Sequence, residues 1–112
     1  PPFDCGIPYL DVFSFQHADR LTKILEQHQY HIERIVCGHV HRFMQLTFAN
    51  TATCTAPSTT TAIALRLDDP DAKEASYIEP PAFLLHHWNA KQGFMITHHV
   101  PIGSFPGPYA FA

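Results

Sequence analysis

Nine of the 112 residues are histidines, and two of them stand where imidazole chemistry is easiest to build. In "IVCGHVHR", residues 35–42, an apolar run passes through Cys37 and Gly38 into His39, Val40 and His41. If the chain stays extended beyond Gly38, His39 and His41 project to the same side, with Cα atoms about 6.5 Å apart at a strand rise of ~3.3 Å per residue. Metal–imidazole bonds are ~2.0–2.1 Å long, and paired catalytic metals sit ~3.5–4 Å apart. The pair can therefore chelate one ion or give one ligand to each of two. A glycine just before them lets the chain turn without a Cβ in the way. By spacing alone, two exposed histidines in a turn account better for the pattern, since two ligands leave a metal half-coordinated.

The other reactive side chains fit this chemistry less well. His86–His87 and His98–His99 are adjacent pairs, and neighbours on a strand face opposite sides, so neither pair is a natural chelate. One packed and one solvated imidazole per pair is the expectation, although His86 and His98 could meet across a hairpin. His17, His28 and His31 read as surface or capping residues of a helix and its exit. Cys37 and Cys54 read as small core thiols, and Cys5 sits in a covering loop where it could meet substrate or another subunit. The hydroxyl-rich "TAPSTTT" lacks the glycines and lysine of a phosphate-binding loop and is expected only to border a cleft.

The elements that must hold these residues follow from periodicity. "PPFDCGIPYLDVFSF" mixes three prolines with Asp4 and Gly6 and reads as a covering loop pinned by Phe3, Ile7, Tyr9 and Leu10. Ala18, Leu21, Ile24, Leu25 and His28 recur at helical spacing, which predicts a helix over about 15–29 with Ser14 as a possible cap. Ile35 and Val36 form a short buried strand ending at Gly38. "RFMQLTF", "ATCTA" and "AIALRL" read as further strands, and "DDPDAKEASYIEPP" as an acidic connection. "FLLHHWN" and "GFMITHHV" flank "AKQ" as a hairpin, with Phe83, Trp88, Phe94 and Met95 as its expected core set. No internal repeat is evident. One helix followed by mostly antiparallel strands implies an α/β layered fold.

Composition excludes several function classes. The net charge is −3 and the seven Lys and Arg residues are scattered, so no basic stripe serves a nucleic-acid polymer. Three cysteines without a CxxC pairing argue against a disulfide framework or a zinc knuckle, and a reducing cytoplasmic setting is expected. No apolar run approaches the ~18 residues of a membrane span, and no basic segment leads into an apolar one as in a signal peptide.

The whole string from the β-branched strand to Gly38-His39-Val40-His41 resembles the Gly-His-x-His motif of calcineurin-like metallophosphoesterases. The leading "PPFDCGIPYLDVFSFQHADRLTKIL" resembles the segment after the His-His-Pro-Pro motif of the bacterial glycerophosphodiesterase and class III cyclic-nucleotide phosphodiesterase branch. "APSTT" resembles that branch's Pro-Ser/Gly-Thr step, and "FLLHHWNAKQGFMITHHVPIGSFPGPYAF" its terminal hairpin and tail. The resemblance implies that residues 1–112 are the C-terminal portion of a four-layer αββα sandwich, with His39 a ligand of the second metal and His41 of the first. It also implies that the Asp-x-His, bridging Asp, Asn-His and remaining His ligands precede Pro1.

The expected parent activity is hydrolysis of cyclic nucleotides or glycerophosphodiesters with two ions such as Fe, Mn, Zn or Co. The chain alone is expected to bind metal weakly, without turnover. It is also expected to form a homo-oligomer, since half a sandwich exposes a sheet face or edge. A different class stands as the alternative: a non-catalytic oligomerisation or interaction domain with incidental histidines.

Overall fold

The computed structural model describes residues 1–13 and 15–112; the proposed cap Ser14 lies outside the described residues. The chain forms a small α/β domain with one main helix and mostly antiparallel strands. Its order is α1 (Pro8–Asp11), α2 (Ala18–His28) with a 3-10 turn at Gln29–His31, β1 (Ile35–Cys37), β2 (Met44–Phe48), β3 (Thr51–Thr55), β4 (Ala62–Ile63), β5 (Ser76–Tyr77), β6 (Ala82–Asn89) and β7 (Phe94–Pro101).

The opening segment is more ordered than its prolines suggest. Pro8 starts α1, where its fixed φ and missing N–H do no harm. The Asp11 carboxylate then reaches back to accept the backbone N–H groups of Cys5 at 2.8 Å and Gly6 at 3.0 Å. That closure buries Ile7 completely. The main helix is shorter than its periodicity predicts, starting after His17, whose φ of 62° lies in the left-handed region. Leu25 faces the core, whereas Ile24 is 54% exposed, so the inward stripe is narrower than the run of apolar residues.

Three strands build the sheet beneath the histidines, in the order β1-β3-β2. β1 runs parallel to β3 with Cys37 opposite Thr55, and β2 runs antiparallel to it with Met44 opposite the same Thr55. A two-residue turn joins β2 to β3, with φ of 47° at Ala49 and 59° at Asn50, the paired positive values of a tight type I′ hairpin. One face of β3 carries Thr51, Thr53 and Thr55, all buried, a small-residue centre that lets neighbouring segments approach closely. β4 and β5 form a two-stranded ribbon; β4 covers only the start of "AIALRL", and β5 arises within the segment expected to be a connection.

β6 and β7 make the expected hairpin, in register from Ala82–Pro101 to Asn89–Phe94. Gly93 closes its loop at φ 75°, donating its N–H to the Asn89 carbonyl at 2.8 Å. The expected core set of this hairpin is not a core: Phe83, Trp88 and Phe94 are exposed and Met95 half-buried. Leu85 and Ile96 beside them are likewise exposed. The body is correspondingly flat, 50 × 40 × 20 Å with a radius of gyration of 16.7 Å, against about 13 Å for a compact domain of this length.

Candidate metal centre at the carboxyl rim of the sheet

The segment Gly38–Phe43 leaves the carboxyl end of β1, arches over the end of β3 and enters β2. Ligand sites in sheets with parallel strands favour this rim, where the backbone leaves its ladder and opens into loops. Thr55, the last residue of β3, supports the arch from below. Its hydroxyl donates to the Arg42 carbonyl at 2.6 Å and accepts the Met44 N–H at 3.0 Å. Ala56 donates its N–H to the Cys37 carbonyl at 2.8 Å, fixing the arch at its start. Val40, 1% exposed, points down into the domain between the two histidines.

This anchoring changes the geometry expected from an extended chain. His39 has φ 80° and His41 φ 54°, so both residues are left-handed and the step is a bend, not a strand continuation. Burying Val40 is the physical reason: a strand would carry it to the face opposite both histidines, whereas the bend turns it into the core. The two imidazoles consequently open on different hollows. His39 borders one lined by Tyr9, Leu10, Phe13, Ile63 and Glu74, and a smaller one beneath the covering loop beside Cys5 and Asp11. His41 borders a hollow of about 190 Å³ with Arg42, Ser58, Thr60, Glu79 and His99.

His41 is oriented by a second contact. Its Nδ1 lies 3.0 Å from the Thr61 carbonyl oxygen; a carbonyl only accepts, so Nδ1 carries the proton. In the neutral ring Nε2 then presents its lone pair, the arrangement in which a backbone carbonyl orients a metal-binding histidine. The neighbouring side chain is also fixed: Arg42 Nη1 donates to the Ile63 carbonyl at 2.7 Å and to Glu79 Oε1 at 3.2 Å. The "APSTT" turn borders the His41 hollow as expected, with Ser58 Oγ accepting the Thr60 N–H at 3.0 Å.

His39 and His41 line different hollows, so each offers a single imidazole donor to its own surroundings. Among the described residues, no group of three His, Cys, Asp or Glu side chains comes together to hold a metal. His41, Glu79 and His99 share a hollow without converging.

The remaining histidines and the cysteines stay outside this chemistry. His86 lies opposite Thr97 and His98 opposite Leu85, which places them on opposite faces of the hairpin, so they do not meet. His99 instead packs edge-on to Phe43, with centroids 6.2 Å apart. Sequence reasoning missed Glu79, His99 and the Thr61 carbonyl as neighbours of His41. The hairpin register could have put His99 on the inner face, but nothing local marks Thr61 or Glu79. Cys54 is buried as expected, while Cys37 and Cys5 are only half-buried. Burial pushes all three thiols above their usual range, Cys5 further through its contact with Asp11, so none is an activated nucleophile.

No family model and no curated protein matches this sequence. No helix among the described residues is long and apolar enough to cross a membrane.

Proposed function

We propose that the chain is the C-terminal, metal-closing portion of a dinuclear phosphodiesterase of the four-layer αββα type, hydrolysing cyclic nucleotides or glycerophosphodiesters. The observation that carries this reading is the left-handed conformation of His39 and His41 on either side of buried Val40. Strained residues of this kind persist where surrounding structure over-determines them, and they concentrate at functional sites.

In that enzyme His41 supplies Nε2 to one ion and His39 an imidazole nitrogen to the other, with the remaining ligands contributed from outside residues 1–112. The paired ions supply Lewis acidity toward the phosphodiester and a hydroxide at neutral pH. The work of this chain is to place two imidazoles on one arch and to orient the His41 ring. Thr61 keeps the His41 proton on Nδ1, and Thr55 holds the arch rigid. The hydroxyls of Ser58 and Thr60 border the His41 side of the cleft and are suited to a phosphate oxygen. A small phosphodiester is the proposed substrate, and the scattered cations give no track for a nucleic-acid polymer.

Cobalt(II) titration of this chain followed by visible absorption tests the assignment. Weak binding is expected, reduced by His41→Ala and by His39→Ala and weakening as pH falls, because a ligand imidazole must be neutral. Binding unaffected by both substitutions would refute the assignment, and so would diesterase turnover by the chain alone. A second reading, a non-catalytic interaction domain, is favoured by the uncovered surface of the β6–β7 hairpin. It predicts no histidine-dependent cobalt spectrum.

A further inference from the structure

His41 and Arg42 both reach the edge of one short strand. β4 spans only Ala62–Ile63 and pairs with the equally short β5, whose Ser76 and Tyr77 are exposed. Among the described residues, no backbone hydrogen bond joins this ribbon to the β1-β3-β2 sheet. The Ala64 N–H donates to the Ala75 carbonyl at 2.9 Å, which turns the backbone groups of Ala62 and Ala64 toward β5 and those of Thr61 and Ile63 away from it. On that outer edge the His41 Nδ1–H meets the Thr61 carbonyl at 3.0 Å, and Arg42 Nη1 donates to the Ile63 carbonyl at 2.7 Å. Consecutive side chains of the arch thus hold alternate carbonyls of one strand. In an extended chain they would face opposite ways; the left-handed φ of 54° at His41 lets both reach the same edge.

Of the two contacts the guanidinium is the firmer. Its bond to Ile63 is the shorter, and Glu79 Oε1 accepts from the same Nη1 at 3.2 Å. Pro80 follows Glu79 and keeps the backbone there extended. The Arg42 side chain is 19% exposed and that of Glu79 43%, so solvent screens their attraction and the pair matters for direction more than for strength. The buried Ala62 and Ala64 seat β4 at its depth, but methyl contacts do not fix its position along the strand. The other side-chain tie to the ribbon, from the Tyr9 hydroxyl to the Ala75 carbonyl, is long at 3.4 Å.

We propose that Arg42 and Glu79 are positioning residues for His41. Glu79 aims the guanidinium, the guanidinium holds Ile63, and the Thr61 carbonyl two residues back is thereby kept where it fixes the His41 proton on Nδ1. An unheld neutral imidazole carries its proton on either nitrogen, and a ring protonated at Nε2 has no lone pair there to give. The consequence for metal rests on His41 being the ligand proposed above; outer partners that fix a ligand's tautomer typically account for about 10–100-fold in metal affinity.

Long-range proton–nitrogen correlation spectra of the metal-free chain, at about pH 8.5 and so above the usual imidazole range, read which nitrogen of each histidine is protonated. His41 is expected to carry its proton on Nδ1 in the native chain and to become a mixture of tautomers in Arg42→Met, which keeps the aliphatic stem, and in Glu79→Ala. Glu79→Gln, whose amide oxygen accepts the same bond, is expected to restore the native tautomer. His86, bonded to Thr97 within the hairpin, is the control and is expected not to change. Cobalt(II) affinity of Arg42→Met and Glu79→Ala is expected to fall about tenfold. A native His41 that is already a mixture overturns the positioning role, as does a His41 that stays protonated at Nδ1 in both variants, whatever cobalt does. A change at His86 as large as that at His41 overturns it too, since the effect would then be a general loss of structure. A His41 tautomer that shifts as expected while cobalt affinity holds supports the positioning role and refutes the metal assignment of His41 instead.

Discussion

Thr55 is the side chain on which the histidine arch rests, and Thr55→Val removes that support while keeping the shape. The residue is fully buried, and its hydroxyl joins the Arg42 carbonyl at 2.6 Å to the Met44 N–H at 3.0 Å. Valine fills the same space, so the packing change is small and the lost hydroxyl dominates. An unpaired buried carbonyl at Arg42 costs about 1–3 kcal/mol, and loss of the second bond adds about 1 kcal/mol. The sum is about 2–4 kcal/mol. With an unfolding entropy of ~2.1 cal/mol/K per residue, that lowers Tm by roughly 10–15 °C. Thr53→Val provides the comparison, because its hydroxyl donates to the Thr51 carbonyl at 3.0 Å, two residues back along its own strand; about 1 kcal/mol is expected there. Urea unfolding followed by circular dichroism measures both, and amide shifts of residues 38–43 report on the arch. Equal destabilisation by the two substitutions, or an arch whose shifts do not move in Thr55→Val, would show that the hydroxyl does not hold the histidines.

Stability should fall above pH 9. Burial raises the thiols of Cys5, Cys37 and Cys54 above 9.0, so the folded chain keeps protons that the unfolded chain releases; the contribution is complete below the unfolded value and is lost as pH rises through the folded ones. Urea midpoints at pH 8 and pH 10 check the sign, and a higher midpoint at pH 10 refutes it. At the β2–β3 turn, Ala49 holds φ 47°, a conformation that disfavours a Cβ by about 1 kcal/mol or more. Ala49→Gly is accordingly expected to stabilise the chain by roughly 0.5–1 kcal/mol in the same assay, and a loss of stability would contradict the turn assignment.

Local pattern carried the hairpin and the strands well. Alternation across "RFMQLTF" and the β-branched start at Ile35 placed β2 and β1 within a residue or two, and the break at "AKQ" placed the β6–β7 loop. Pattern failed where tertiary contacts decided the outcome. α1 exists because Asp11 folds back on Cys5 and Gly6, a closure that no periodicity encodes. The exposed Phe83, Trp88 and Phe94 show the opposite failure: strand alternation identifies apolar side chains but not whether anything covers them. The parallel alignment of β1 with β3 was also hidden, since it depends on the arch carrying the chain across the end of β3.

The site was legible in residue type and not in conformation. An isolated "CGHVHR" has no reason to bend: left-handed residues cost about 1–2 kcal/mol each, and an extended path is cheaper. Three contributions reverse that preference, and the two hydrogen bonds among them come from residues distant in sequence. Burial of Val40 contributes about 1.5–3 kcal/mol. The Arg42–Thr55 bond and the His41–Thr61 bond each add about 1 kcal/mol. The sum offsets the strain of His39 and His41 within the arch itself. Packing is therefore assigned to valine and backbone strain to the histidine positions, while the His39 ring and Nε2 of His41 carry no structural duty. That division of labour is what a ligand-presenting loop of the kind proposed above requires. It also explains why Val40→Ala, which lowers the driving force and leaves both imidazoles in place, should release the histidines toward the extended geometry.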